Sequence, residues 1–223
     1  MFKQKISHWN IIFIKNFMSL LLIIIGITCF ASITYAAEFV ISSDLANVNL
    51  EGDMVLESAP SLIASLSLEY STGQFSVRGI YATKFALNDQ YPDKDSLNHV
   101  CLYGFYDVAN DNINVYRLGP AIGYYYWTWS AQKHDWITDS IIDIRASEAN
   151  VCIGGQAQIM SHQTGLSILG LFGSKFSLLE LRAQTQFSDM LGGHFIYRSL
   201  KLNCGDFQPE YKEYGLGIQL VFE

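Results

Sequence analysis

The sequence predicts an all-β fold, an antiparallel up-and-down barrel that spans a membrane, preceded by a cleaved signal peptide. Three observations carry the prediction. Beyond residue 36 the apolar residues recur with period two, and no long stretch shows the i, i+3, i+4 stripe of a surface helix. Nothing in that region approaches the roughly 18 consecutive apolar residues of a membrane helix. Short turns rich in Gly, Asn and Asp alternate with longer polar connections, as in barrels whose two rims are built differently.

The N-terminal segment stands apart. Lys3, Lys5 and Lys15 precede an apolar run over 17–30, and Thr34 and Ala36 supply small residues at −3 and −1 of a cleavage point. An uncleaved anchor is the competing reading, but it needs about 20 apolar residues and 17–33 falls slightly short. Lipidation is disfavoured because Thr28, not a smaller residue, precedes Cys29. The expected organisation is a signal peptide over 1–36 and one barrel domain over 37–223. That length suits a single domain. The whole chain carries a formal charge of −7, and losing three lysines makes the remainder more acidic, which argues against a nucleic-acid partner.

The strands follow in order. Residues 39–50 form the weakest candidate. In 61–70, Leu62, Ala64, Leu66, Leu68 and Tyr70 share one face against Ser61, Ser65, Ser67 and Glu69. A Ser-Thr-Gly-Gln turn leads into 75–85. After a long connection, 99–108 is joined through Asn110-Asp111-Asn112 to 113–129, and another long connection leads to 142–161, where Val151, Ile153, Ala157 and Ile159 oppose Cys152, Gly154, Gln156 and Gln158. A turn containing Gly165 precedes 166–173, which has Leu and Ile on both faces and reads either as a strand or as an extension of a neighbour. In 177–187, Leu179, Leu181, Ala183, Thr185 and Phe187 alternate with Glu180, Arg182, Gln184 and Gln186. The turn through Gly192-Gly193 then leads to 194–202, and a last long connection to 213–222. Ten strands are favoured, and eight remain the alternative.

Alternation alone does not separate a membrane barrel from a soluble one, whose apolar face would turn inward. A polar face with small residues in series, as in Arg117, Gly119, Ala121 and Gly123 where only the first is large, suits a crowded lumen. The run over 124–129 suggests an aromatic girdle of Tyr124, Tyr126, Trp127 and Trp129 at the lipid–water boundary; its competing reading is a soluble aromatic core. The chain closes on Tyr214-x-Leu216-x-Ile218-x-Leu220-x-Phe222. This last strand resembles the C-terminal assembly signal of Gram-negative outer-membrane barrels, and Tyr116-Arg-Leu-Gly-Pro-Ala-Ile-Gly-Tyr-Tyr-Tyr-Trp127 resembles the glycine/aromatic strands of the small ones, of OmpA-type or porin-like kind. The family usually ends on the aromatic, whereas Glu223 follows Phe222 here. The resemblance implies an outer-membrane location, outer-membrane lipid and lipopolysaccharide as surroundings, and periplasmic chaperones and the barrel assembly machinery as partners.

For function, the lumen-facing ionic set is Glu69, Arg78, Lys84, Arg117, Glu180 and Arg182. Such charges either pair into a plug or line a narrow pore, and small barrels have side-chain-filled interiors. The leading reading is a non-enzymatic barrel with a structural or surface-interaction role. The alternatives are a narrow channel for ions or small solutes and a lipid-A-modifying enzyme. The enzyme would draw on His134, Asp135, Asp139 and Ser140 or on Asp95-Ser96 in predicted external loops, while Ser161-His162 falls at a periplasmic turn. Presence in a loop does not make a nucleophile and base, so no catalytic residue is nominated. No cofactor or metal is implied, since no C-x-x-C or H-E-x-x-H pairing occurs. Three cysteines follow the signal, Cys101, Cys152 and Cys204, so at least one is free or pairs between molecules. Cys101 and Cys152 are read as buried inert thiols, and Cys204 as the more accessible one.

Overall fold

The period-two pattern resolves into antiparallel ladders that close on themselves. The computed structural model describes residues 37–51, 61–86, 94–111, 115–135, 140–161, 163–205 and 208–222; residues 1–36, where a signal peptide is expected, and Glu223 lie outside them. The strands are β1 (Ala37–Glu51), β2 (Ser61–Thr72), β3 (Phe75–Ala86), β4 (Lys94–Tyr106), β5 (Ala109–Asp111), β6 (Val115–Asp135), β7 (Ser140–Ser161), β8 (Thr164–Phe172), β9 (Phe176–Gln186), β10 (Leu191–Leu202) and β11 (Glu210–Phe222). Neighbours in sequence pair with one another except β4 and β5, β1 pairs with β11 from Phe39↔Phe222 to Glu51↔Glu210, and β4 pairs with β6. The ring is therefore closed.

Eleven strands make ten staves, because β4 and β5 lie end to end along β6. Phe105 faces Ala121, but Ala109 faces Leu118, so one extra residue is accommodated between them as a β-bulge. Gly119 sits opposite the break, where a Cβ would come within 1.7 Å of the Tyr106 carbonyl oxygen. Any larger residue there would force the bulge apart. The segment with apolar residues on both faces is a full stave, β8, paired with β7 and β9, which settles ten over eight. Its inward Leu169 and Leu171 are buried in an apolar part of the lumen, while Leu166, Ile168 and Phe172 face out.

The distribution of polarity is inverted relative to a soluble protein. Arg198 and Glu180 are 1% exposed and Glu213 is 0%, whereas Leu216 is 70% exposed and Ile122 63%. Large apolar residues ring the outside on successive staves, among them Leu45, Leu66, Ile168, Phe195 and Ile218. An apolar surface of this extent is incompatible with water, and each stave of the ring pairs with a neighbour on both sides, as lipid requires. Alternation thus runs as in a membrane barrel, greasy face outward. By the building rule of such barrels, the rim of short turns is periplasmic and the rim of longer connections external.

The lumen is filled in two styles. Toward the short-turn rim it is charged. Toward the loop rim it is an apolar core of Ile63, Leu97, Cys101, Tyr125, Trp127, Trp129, Leu171, Phe176, Leu178 and Leu200. The expected four-member girdle is corrected here. Tyr124 and Tyr126 lie on the outward parity of β6, but Trp127 and Trp129 turn into the lumen at 0% and 2% exposure. Consecutive residues on a strand point to opposite faces, so an unbroken aromatic run must divide between lipid and core.

The loop rim is uneven. β6 and β7 stay paired up to Asp135↔Ser140, whereas β8 ends at Phe172, opposite Ile153 of β7.

Candidate functional site

The charged half of the lumen is assembled by register. Arg198 of β10 lies opposite Glu180 of β9 on one side and Glu213 of β11 on the other, so three adjacent staves present an acid–base–acid rung. The guanidinium contacts Glu180 at 2.9 Å and Glu213 at 2.8 Å. From across the barrel, Arg78 of β3 donates to Glu180 at 3.0 Å. Arg182, two residues along β9 and therefore on the same face, lies 3.4 Å from Glu180 and 3.8 Å from Asp44 of β1. Asp44 also receives a 2.6 Å hydrogen bond from Ser65 and is bonded to His194.

The bond between Asp44 and His194 spans a stave. Both residues lie opposite Gly217 of β11, and a Cβ there would sit 2.4 Å from the His194 Nε2 and 2.5 Å from an Asp44 oxygen. The absent side chain is what lets them meet. Three guanidiniums and three carboxylates are thereby matched at the barrel centre. Buried charges are tolerated only when paired and hydrogen-bonded in this way.

Two smaller ion-pair groups flank this cluster. Near the short-turn rim, Arg117 donates to Asp107 at 2.7 Å and to Ser76, with Glu69 3.7 Å away. On the loop side, Lys84 pairs with Asp95 and lies 5.4 Å from the centre of the Tyr211 ring, whose hydroxyl donates to Asp95 at 3.0 Å. Between them the apolar core includes a stack of His99, Tyr125 and Phe176, with ring centroids 5.5 Å and 4.1 Å apart.

The six nominated ionic residues therefore fall into all three groups. Arg78, Glu180 and Arg182 meet at the centre, Glu69 and Arg117 near the turns, and Lys84 near the loops. Sequence reasoning missed Asp44, Asp95, Asp107, His194, Arg198 and Glu213. Glu213 was within reach, since it continues the inward parity of Gly215, Gly217 and Gln219. Asp44 was hidden in the weakest strand, whose outward face carries Ser43 and Asn47 beside Leu45. Tyr214, Leu216, Ile218, Leu220 and Phe222 line the lipid face of β11, and Phe222 meets Phe39 of β1 at 6.5 Å between ring centres.

Of the loop residues considered for catalysis, Asp95 is engaged by Lys84 and Tyr211, and Ser96 bonds Ser130 at 2.8 Å. The side chains of His134, Asp135 and Ser140, and Asp139 and His162 altogether, lie outside what the structure describes. In the lumen, Ser65 and His194 both bind Asp44 instead of each other. Among the described residues no group of three or more His, Cys, Asp or Glu could hold a metal ion. Cys101 and Cys152 are buried free thiols that face each other across β6. Cys204, between β10 and β11, is half-buried against the apolar core. Burial, reinforced by Glu148, pushes its thiol up to about 11.

A ten-stave ring with a filled, charged interior and an apolar exterior defines an outer-membrane β-barrel. Among solved structures the chain is similar to the outer membrane protease OmpT from Escherichia coli, at 10% identity and a TM-score of 0.51, over 85% of this chain and 98% of that one. It is also similar to Neisserial surface protein A, at 14% identity and 0.45 over 84% and 99%. The attachment invasion locus protein Ail of Yersinia pestis follows at 13% and 0.41 over 83% and 99%. At such identities the likeness is one of fold. No protein-family model and no curated protein matches the chain.

Proposed function

We propose that this barrel is a non-conducting, non-enzymatic protein that works through its external rim, in a structural or surface-interaction role. The observation that carries this reading is the double closure of the lumen, matched charges below and close-packed aromatics above. An ion entering from outside would pass the paired Lys84 and Asp95 and then have to displace Trp127, Trp129 and Leu200 before reaching the central charges. The test is planar-bilayer conductance of the purified barrel, which should stay at baseline; reproducible single-channel steps would overturn it. Lipid-A mass spectra from cells with and without the gene should be identical, and a change in acyl content would revive the enzyme.

The reading includes export by a signal peptide cleaved after Ala36, an environment of outer-membrane lipid and lipopolysaccharide, and delivery by periplasmic chaperones to the barrel assembly machinery. If β11 is the signal that machinery reads, Phe222→Ala should reduce the heat-shifting, membrane-embedded fraction. An unchanged fraction would remove that role from Phe222.

A further inference from the structure

The step in the loop rim leaves part of one strand without a second neighbour. β7 is paired along its length with β6, but β8 reaches only Ile153, and Ser174 then caps Asn150 with a 2.7 Å contact. Among the described residues, 140–149 have no strand on the β8 side. At about 3.3 Å per residue this is an edge of about 33 Å without a described neighbour. It stands above the lipid. The outward residues of β7 change from Ile153 and Val151 to Ser147, Arg145 and Asp143, and those of β6 from Tyr124 to Thr128, Ser130 and Gln132.

Exposed edges are usually blunted by proline, a bulge or like charges. The segment Asp143-Ile-Arg-Ala-Ser-Glu-Ala149 has no proline or glycine, and its outward charges alternate in sign. Arranged antiparallel to itself about Ile144, the pattern is self-complementary. Asp143 then faces Arg145 of the second copy, Arg145 faces the second copy's Asp143, and the two Ile144 residues come opposite each other on the other face, where each packs against its own apolar core. Arg145 lies opposite Ser130 and has no carboxylate among the described residues; Asp143 accepts only a 2.9 Å bond from Gln132. Both charges are exposed and available.

We propose that this edge of β7 binds the same edge of a second copy of the chain, strand to strand and antiparallel. The two-fold axis of such a pair runs perpendicular to the wing formed by β6 and β7, so the barrels point in opposite directions, loop rim to loop rim. Two copies in one membrane present their β7 strands in parallel and cannot form it. The contact therefore joins facing membranes and is multiplied by the number of copies on each. This deepens the surface-interaction reading and rests on it, while conductance bears on the lumen alone, so the two fail separately.

The experiment uses the full barrel in phospholipid vesicles, with clustering followed by light scattering and folding checked by heat-shift gel. Wild-type vesicles should cluster. Arg145→Asp or Asp143→Arg alone should slow clustering at least tenfold. Mixing the two variant populations should restore it, because every opposed pair is again of opposite sign, and the double swap should cluster by itself. Absence of wild-type clustering overturns the proposal, as does clustering unaffected by either single change. Failure of the mixed populations overturns the register about Ile144, and clustering only with barrel-free vesicles or with added foreign protein assigns the edge to another partner.

Discussion

The two halves of the lumen solve the same problem with opposite chemistry. Both fill a cylinder with side chains. The lower half does so with directional bonds: Glu180 is held by Arg78, Arg182 and Arg198 from two sides of the ring, so it fixes which staves stand where. The upper half does so with shape, through Trp127, Leu178, Leu200 and their neighbours, which exclude water but would tolerate some rearrangement. Directional pairing and apolar packing thus reside in different layers.

Breaking the charged layer should have the largest effect. Glu180→Gln removes one charge and leaves three guanidiniums facing two carboxylates; breaking a buried ion group by deleting one partner costs about 3–5 kcal/mol. Urea unfolding of the refolded barrel should show this, and a loss below about 1 kcal/mol would mean that water already screens the site. Next comes the outer surface that both halves share. Leu181→Arg places a charge in lipid, at about 2–4 kcal/mol near the midplane, whereas Gln184→Arg on the inward parity should fold. Equal yields of both on a heat-shift gel would contradict the facing of β9.

The apolar layer should respond more gently to small changes. Ile63→Val removes one methylene from a residue that is fully buried in it, so a loss of about 0.5–1.5 kcal/mol is expected, with conductance unchanged. The smallest effect concerns Cys204, above that layer. With its thiol pushed up to about 11, roughly one molecule in a thousand carries the thiolate at pH 8. Alkylation should therefore be slow there and accelerate about tenfold per pH unit up to about 11. Rapid labelling at pH 7 would show that the loop does not bury it.

Most of the stave pattern could be read from the chain because lipid and lumen impose alternation residue by residue. What could not be read is what alternation does not encode. The run over 124–129 is aromatic on both parities, so its split between lipid and core appears only once the ring closes. The partners of Arg78 and Asp44 lie 102 and 150 residues away, and no local pattern names them. His194, Ile196, Arg198 and Leu200 share a face that mixes charge and grease against Phe195, Tyr197 and Ser199, so the 194–202 strand concealed the central arginine. The bulge at Gly119 left only a glycine beside Pro120 as its trace.

The seam between β1 and β11 has a consequence for the order of events during folding. Asp44 enters from the first stave, Glu180 to Glu213 from the last three, and Arg78 from the third, so the central lattice has no complete sub-assembly in any single hairpin. A half-formed barrel holds Arg182 and Arg198 against two glutamates, with Arg78 and Asp44 still apart. Contacts this distant in sequence form late and slowly. The final zipping of β1 onto β11 is then the step that brings Asp44 to His194 and Arg182, so closure is checked by electrostatics: a barrel closed in a shifted register would leave these buried groups without one another and reopen.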